Sequence, residues 1–140
     1  MAQQLKEAGL VWEAQTHDFF AIPERGMDEQ IFVVTDVMAY LELLKGWPVV
    51  TFHGTAEWAL DYILTAEVLW LPTESQIRDQ LAGALLGEAE LKLSLTLQHP
   101  TYLCEILYRG QPHQFSGATA SEAYGLALLH ILDRHNNSYV

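Results

Sequence analysis

His53, Glu57 and Asp61 stand four residues apart and form the one polar stripe of an otherwise apolar segment, Thr51-Phe-His-Gly-Thr-Ala-Glu-Trp-Ala-Leu-Asp-Tyr-Ile-Leu. On a helix that spacing stacks side chains on one face. A histidine at the helix mouth would then share a line with two carboxylates. Such a set suits a hard or borderline divalent cation, or acid–base chemistry. His17 and Asp18 would complete the shell if their strand lies beside the strand ending at His53. Two like charges at i and i+4 repel by a few tenths of a kcal/mol, roughly, and a cation between them would relieve that. The same residues have a plainer use. Glu57 in a first helical turn answers the helix dipole, and Asp61 can simply be solvated. Trp58 and Tyr62 on the same helix add aromatic surface that suits a ligand, a partner or a core. The candidate binding residues are therefore His17, Asp18, His53, Glu57, Asp61, Trp58 and Tyr62. No catalytic residue is singled out, and no metal or cofactor is called for.

Familiar reactive arrangements are missing from the chain. It has no Gly-x-Ser-x-Gly elbow, no Walker loop, no dinucleotide fingerprint, no His-Glu-x-x-His and no paired-cysteine metal motif. Cys104 stands alone between Leu103 and Glu105. An internal disulfide is impossible, and no nearby cation lowers the thiol pKa, so the residue reads as a buried structural cysteine.

Eighteen acidic residues against seven basic ones give a net charge of −11 with histidines neutral. The acids are scattered from Glu7 to Asp133, and the few cations are dispersed. A nucleic-acid or anionic-membrane partner needs a basic patch, so neither is expected. A hydrophobic fraction of 50% with 18% charged residues is that of a folded globular protein. The polar start, Met1-Ala-Gln-Gln-Leu-Lys-Glu, has no export core, and charges interrupt every long apolar run. The expectation is a cytoplasmic protein.

These residues need elements to position them. Residues 2–8 read as a short helix closed by Gly9. The stretch before Pro23 reads as extended, Glu24 to Glu29 as a charged turn, and Ile31 to Thr35 as a buried strand. Asp36 offers an N-cap to a helix carrying Val37, Tyr40, Leu41 and Leu44 until Gly46. Pro48 to Phe52 is a strand, and Thr55 caps a helix from Ala56 to Ala66. That helix is apolar around most of its girth and needs cover on several sides. Thr73 to Gln76 is a capping box leading to Ile77, Leu81 and Leu85. Leu91, Leu93, Leu95 and Leu97 then alternate with polar residues, as in a half-buried strand over Leu91 to Gln98. Tyr102 to Tyr108 and Pro112 to Ser116 flank a hairpin turn at Arg109-Gly110. Thr119-Ala-Ser-Glu122 caps a last helix that buries Ala123, Ala127, Ile131 and Leu132. The sum is one α+β domain over residues 1–140, with a mostly antiparallel sheet and helices on one face or at its ends.

The last third, from Tyr102-Leu-Cys-Glu-Ile-Leu-Tyr through Phe115-Ser-Gly-Ala-Thr to Glu122-Ala-Tyr-Gly-Leu-Ala-Leu-Leu, resembles a hairpin-plus-helix ending. That ending occurs in the double-stranded-RNA-binding fold and in small α/β/α sandwich proteins of phage and bacterial origin. The RNA-binding family places lysines at the start of its last helix, whereas this helix starts Thr119-Ala-Ser-Glu, so no RNA-contacting residue carries over. Asp18-Phe-Phe-Ala-Ile-Pro, Gly54-Thr-Ala-Glu-Trp-Ala-Leu-Asp-Tyr and Trp70-Leu-Pro-Thr-Glu-Ser-Gln are similar to blocks in small bacterial proteins of unknown function. That resemblance implies bacterial provenance and no activity. Two functions stay open: a non-enzymatic protein acting through self-association, as a homodimer, or a protein partner; and a small-ligand- or divalent-metal-dependent enzyme using the His/carboxylate cluster.

Overall fold

The computed structural model describes residues 1–23, 27–35, 39–52, 62–85 and 90–138. Its elements form an α+β protein with three small antiparallel sheets and three helices. The chain divides into two compact units. One comprises Met1, Gln3–Leu10 and Thr73–Val140, and the other Ala2 and Val11–Pro72. We call them the helical unit and the strand unit.

Helix α1 (Ala2–Glu7) opens the chain and stops where Gly9 takes φ +101°, a conformation that glycine adopts without a Cβ clash. Its one buried side chain, Leu5, belongs to the core of the helical unit.

In the strand unit, β1 (Phe19–Ile22) lies between β2 (Met27–Val33) and β6 (Leu69–Trp70). Of the charged turn expected over Glu24 to Glu29, Met27 to Glu29 already belong to β2, and residues 24–26 lie outside the described residues. Phe20 pairs with Phe32 on one side and Trp70 on the other. Phe20, Ile22, Val34 and Val68 enter one core with Val50 and Ile63. A second sheet has the order β3 (Ala39–Leu44), β4 (Trp47–Phe52), β5 (Tyr62–Leu64). Here two expected helices are corrected. Residues 39–44 form a hairpin strand, not a helix, because Lys45 (φ +50°) and Gly46 (φ +85°) make the two-residue turn that matches strand twist. Short apolar runs satisfy either period, and pairing with Trp47–Phe52 decides the case. Likewise the helix expected to reach Ala66 is absent at its described end, where Tyr62–Leu64 pairs with Val49–Thr51.

The helical unit follows its sequence closely. Helix α2 (Glu74–Leu85) begins with the reciprocal box: Thr73 N–H donates to Gln76 Oε1 at 2.9 Å, and Gln76 N–H to Thr73 Oγ1 at 3.4 Å. Ile77, Leu81 and Leu85 are its buried residues. Strands β7 (Leu91–Thr96), β8 (Thr101–Tyr108) and β9 (Gln111–Gly117) form an antiparallel meander. Arg109 (φ +51°) and Gly110 (φ +74°) make its tight second turn. Helix α3 (Ala120–Asn137) is capped by Thr119 Oγ1, which accepts from Glu122 N–H at 3.1 Å, while Glu122 Oε2 accepts from Ala118 N–H at 2.8 Å. Gly117 at the strand-to-helix junction has no room for a side chain, since a Cβ would sit 2.7 Å from Ala123 N. Cys104, Ile106, Tyr108, Ala123, Ala127 and Ile131 share the core between sheet and helices.

The two sheets differ in their outward faces. On the meander, Lys92, Glu105 and Gln114 are cross-strand neighbours, with Lys92 Nζ 3.9 Å from Glu105 Oε2 and Gln114 Nε2 donating to Glu105 Oε1 at 3.0 Å. That face is a solvated one. On the β2–β1–β6 sheet, Phe20 and Phe32 face the core while Phe19, Ile31 and Val33 leave apolar surface exposed on the other side.

Candidate functional site

The turn that precedes β1 holds two of the expected site residues. His17 is exposed and takes φ +73°, an uncommon conformation for a residue with a side chain. Its N–H donates to Val34 O at 2.8 Å, and Val34 N–H donates to Asp18 O at 2.9 Å, so the turn is fastened to the end of β2. Asp18 is 4% exposed. Its Oδ2 accepts from the Trp12 indole N–H at 2.8 Å and from Gln15 N–H at 3.0 Å. A buried carboxylate with donors placed on it is a structural clasp, because leaving it unpaired would be costly. Asp18 is therefore held within the turn by these two donors. Tyr62 lies in β5, with its backbone opposite Thr51. His53, Glu57, Trp58 and Asp61 lie outside the described residues. Among the described residues no group of three or more His, Cys, Asp or Glu side chains is placed to hold a metal ion.

A second titratable cluster, absent from the sequence reading, lies in the helical unit. His113 of β9 and His130 of α3 meet with ring centroids 4.6 Å apart, beside Phe115 at 6.5 and 5.4 Å. Both Nε2 atoms are buried without a hydrogen-bond partner among the described residues. Burial, then the neighbouring His113, holds His130 below its ordinary pKa, with Arg134 adding to the drop and Asp133 opposing it. Burial thus disfavours the charged form of His130, which packs against His113 and Phe115. Cys104 is fully buried, and burial with the adjacent Glu105 pushes its thiol up to about 11. That matches the expected inert cysteine.

The surface feature with most chemical meaning is the outer face of the β2–β1–β6 sheet. Phe19 (42% exposed) stands directly opposite Val33 (36%), and Ile31 (69%) follows two residues along β2 on the same face. Leu69 and Leu71 border them, with Leu71 N–H donating to Phe19 O at 2.8 Å. At the tip of the β3–β4 hairpin, Leu43 and Trp47 (68%) are also exposed, and Leu43 lines a hollow of about 470 Å³ with Trp12, Leu41, Pro48 and Val49. The runs Phe19-Phe-Ala-Ile and Ile31-Phe-Val-Val carried the available signal. An unbroken apolar run in a strand means apolar residues on both of its faces, whereas a half-solvated strand alternates.

The chain matches no protein-family model, no curated protein and no solved structure at a significant level. No helix among the described residues is long and apolar enough to cross a membrane.

Proposed function

We propose that this chain is a non-enzymatic bacterial protein of the cytoplasm that acts through protein contact. Its docking surface is the outer face of the β2–β1–β6 sheet, and its partner is a second copy of itself. One observation carries this reading: a three-stranded sheet whose outer face presents Phe19, Ile31 and Val33 where the meander presents Lys92, Glu105 and Gln114. Two such faces stack about 10 Å apart without needing any new hydrogen bond, and a two-fold arrangement lets one patch serve both copies. The three side chains expose on the order of 250 Å². A standard interface takes about 800 Å² per partner, so the association is expected to be weak unless the Leu43–Trp47 tip joins it. The enzyme reading draws no support from Asp18, whose carboxylate already clasps Trp12 and Gln15.

Cys104 makes a direct test practical, because a buried thiol leaves an introduced cysteine as the accessible one. Val33→Cys should form a disulfide-linked dimer under mild oxidation much faster than Ser94→Cys on the polar meander face. Equal rates would remove the case for this surface.

A further inference from the structure

We propose that His113 and His130 form an acid-sensitive latch that holds the edge strand β9 on the core of the helical unit and releases it when either ring is protonated. The latch is independent of self-association.

Strand β9 is anchored at few points. Gln111, Pro112, Gln114 and Ser116 are exposed, and only His113, Phe115 and Gly117 are buried or half-buried. Gly117 has no side chain to pack, so His113 and Phe115 supply the strand's whole side-chain anchor. Both rest on His130 of α3, with ring centroids 4.6 and 5.4 Å from it. Helix α3 is held more firmly, by Ala123, Ala127, Leu128 and Ile131 in the core. Strand β9 ends its sheet, paired with β8 alone. Opening of this seam therefore costs least on the β9 side.

Protonation acts on that anchor directly. The Nε2 atoms of both rings are buried without a hydrogen-bond partner among the described residues. A neutral imidazole can leave one nitrogen bare, whereas an imidazolium carries a proton on each and needs an acceptor for both. One charged ring also penalises charge on its neighbour. No carboxylate among the described residues lies within ion-pair distance of either ring. On α3, Arg134 opposes charge on His130 and Asp133 favours it. Helix α1 places Glu7 in a hollow shared with Asp133. Helix α2 contributes Glu74 and Arg78, which act on Tyr124 nearer the start of α3. Glu90, Lys92 and Glu105 border His113, but Glu105 is engaged with Lys92 and Gln114 on the outer face. Ile106, opposite His113 in the ladder, is apolar.

The direction follows from where the proton binds more easily. In the released strand both rings are solvated and titrate at about 6.5. Docked, His130 takes up its proton less readily. Release is therefore favoured as pH falls below that value and not above it. One site that could not be protonated while docked would raise the released population about thirtyfold at pH 5.

Hydrogen exchange of the full chain at pH 7.5 and pH 5.0, corrected for intrinsic rates, tests the latch. Amides of residues 111–117 should lose protection by about tenfold or more at the lower pH, and those of α2 by less than about threefold. His130→Leu and His113→Phe, each keeping an apolar body in the seam, should hold the β9 loss below about threefold. The two are made separately, so that one reads the latch should the other fail to fold. The proposal is overturned if β9 protection is the same at both pH values, if α2 loses as much as β9, or if a folded variant keeps the parent's pH response.

Discussion

Replacing Asp18 by alanine separates a structural carboxylate from a functional one. The substitution removes one acceptor from two donors, the Trp12 indole N–H at 2.8 Å and Gln15 N–H at 3.0 Å. Hydrogen bonds to a charged group contribute about 1.5–3 kcal/mol each, but part of that returns when a 4%-exposed carboxylate no longer has to be desolvated. Trp12 is only half-buried and can turn toward water. The net expectation is a loss of about 2–4 kcal/mol. The chain is built to report it. All four tryptophans, Trp12, Trp47, Trp58 and Trp70, fall within the strand unit, whereas the described residues of α2 and α3 belong to the helical unit. Urea unfolding followed by tryptophan fluorescence should therefore shift strongly in Asp18→Ala, while the helical circular dichroism transition should move far less. Asp18→Asn, which keeps an acceptor oxygen, should lose less than half as much. A change within about 0.5 kcal/mol of the parent for Asp18→Ala would refute the clasp.

Other expectations concern the helical unit. His130 is held below its ordinary pKa, so the unfolded chain binds its proton first as pH falls below about 6.5. Stability of this unit should drop from that pH down through the folded value, and His130→Leu should flatten the profile, with His113, Asp133 and Arg134 left in place. Thermal melts at 222 nm between pH 8 and pH 5 read this directly. Gly117→Ala would place a Cβ 2.7 Å from Ala123 N and 3.0 Å from Thr119 O, both backbone atoms, and should cost about 2–4 kcal/mol in the same melts. Cys104, fully buried with its thiol pushed up to about 11, should resist a thiol reagent at pH 8 in the native protein and react at once in urea.

The helical unit was legible because its signals are local. Both capping boxes and the Arg109-Gly110 turn are decided within a few residues of sequence and form as expected, whereas the strand expected over Leu91 to Gln98 ends at Thr96 and leaves Leu95 and Leu97 exposed. The strand unit was less so. Tyr40, Leu41 and Leu44 fit a helical period, and only pairing with Trp47–Phe52 makes them a strand. Ile63 and Leu64 fit a helical period as well, and a non-local ladder to Val49 and Val50 overrides it. Of the candidate site, Asp18 was found by its residue type and placed beside His17, but its clasp depends on Trp12, six residues away, which spacing alone does not specify. The His113–His130 pair joins a strand to a helix seventeen residues further on, and no motif announces it. The apolar outer surface at Phe19, Ile31 and Val33 is signalled by two unbroken apolar runs, Phe19–Ile22 and Ile31–Val34, which place apolar residues on both faces of a strand.

Sedimentation velocity across a concentration series, run on the parent chain and on Ile31→Lys, tests the central claim most directly. Ile31 is 69% exposed and so carries little of the core, which leaves the variant folded while placing a charge at the most exposed apolar position of the proposed contact. The account predicts that the parent sediments increasingly faster than a 15.8 kDa monomer as its concentration rises into the tens to hundreds of micromolar, the range a small apolar interface implies. Ile31→Lys should remain a monomer over the same range. A parent that stays monomeric throughout, or a variant that associates just as strongly, would contradict it.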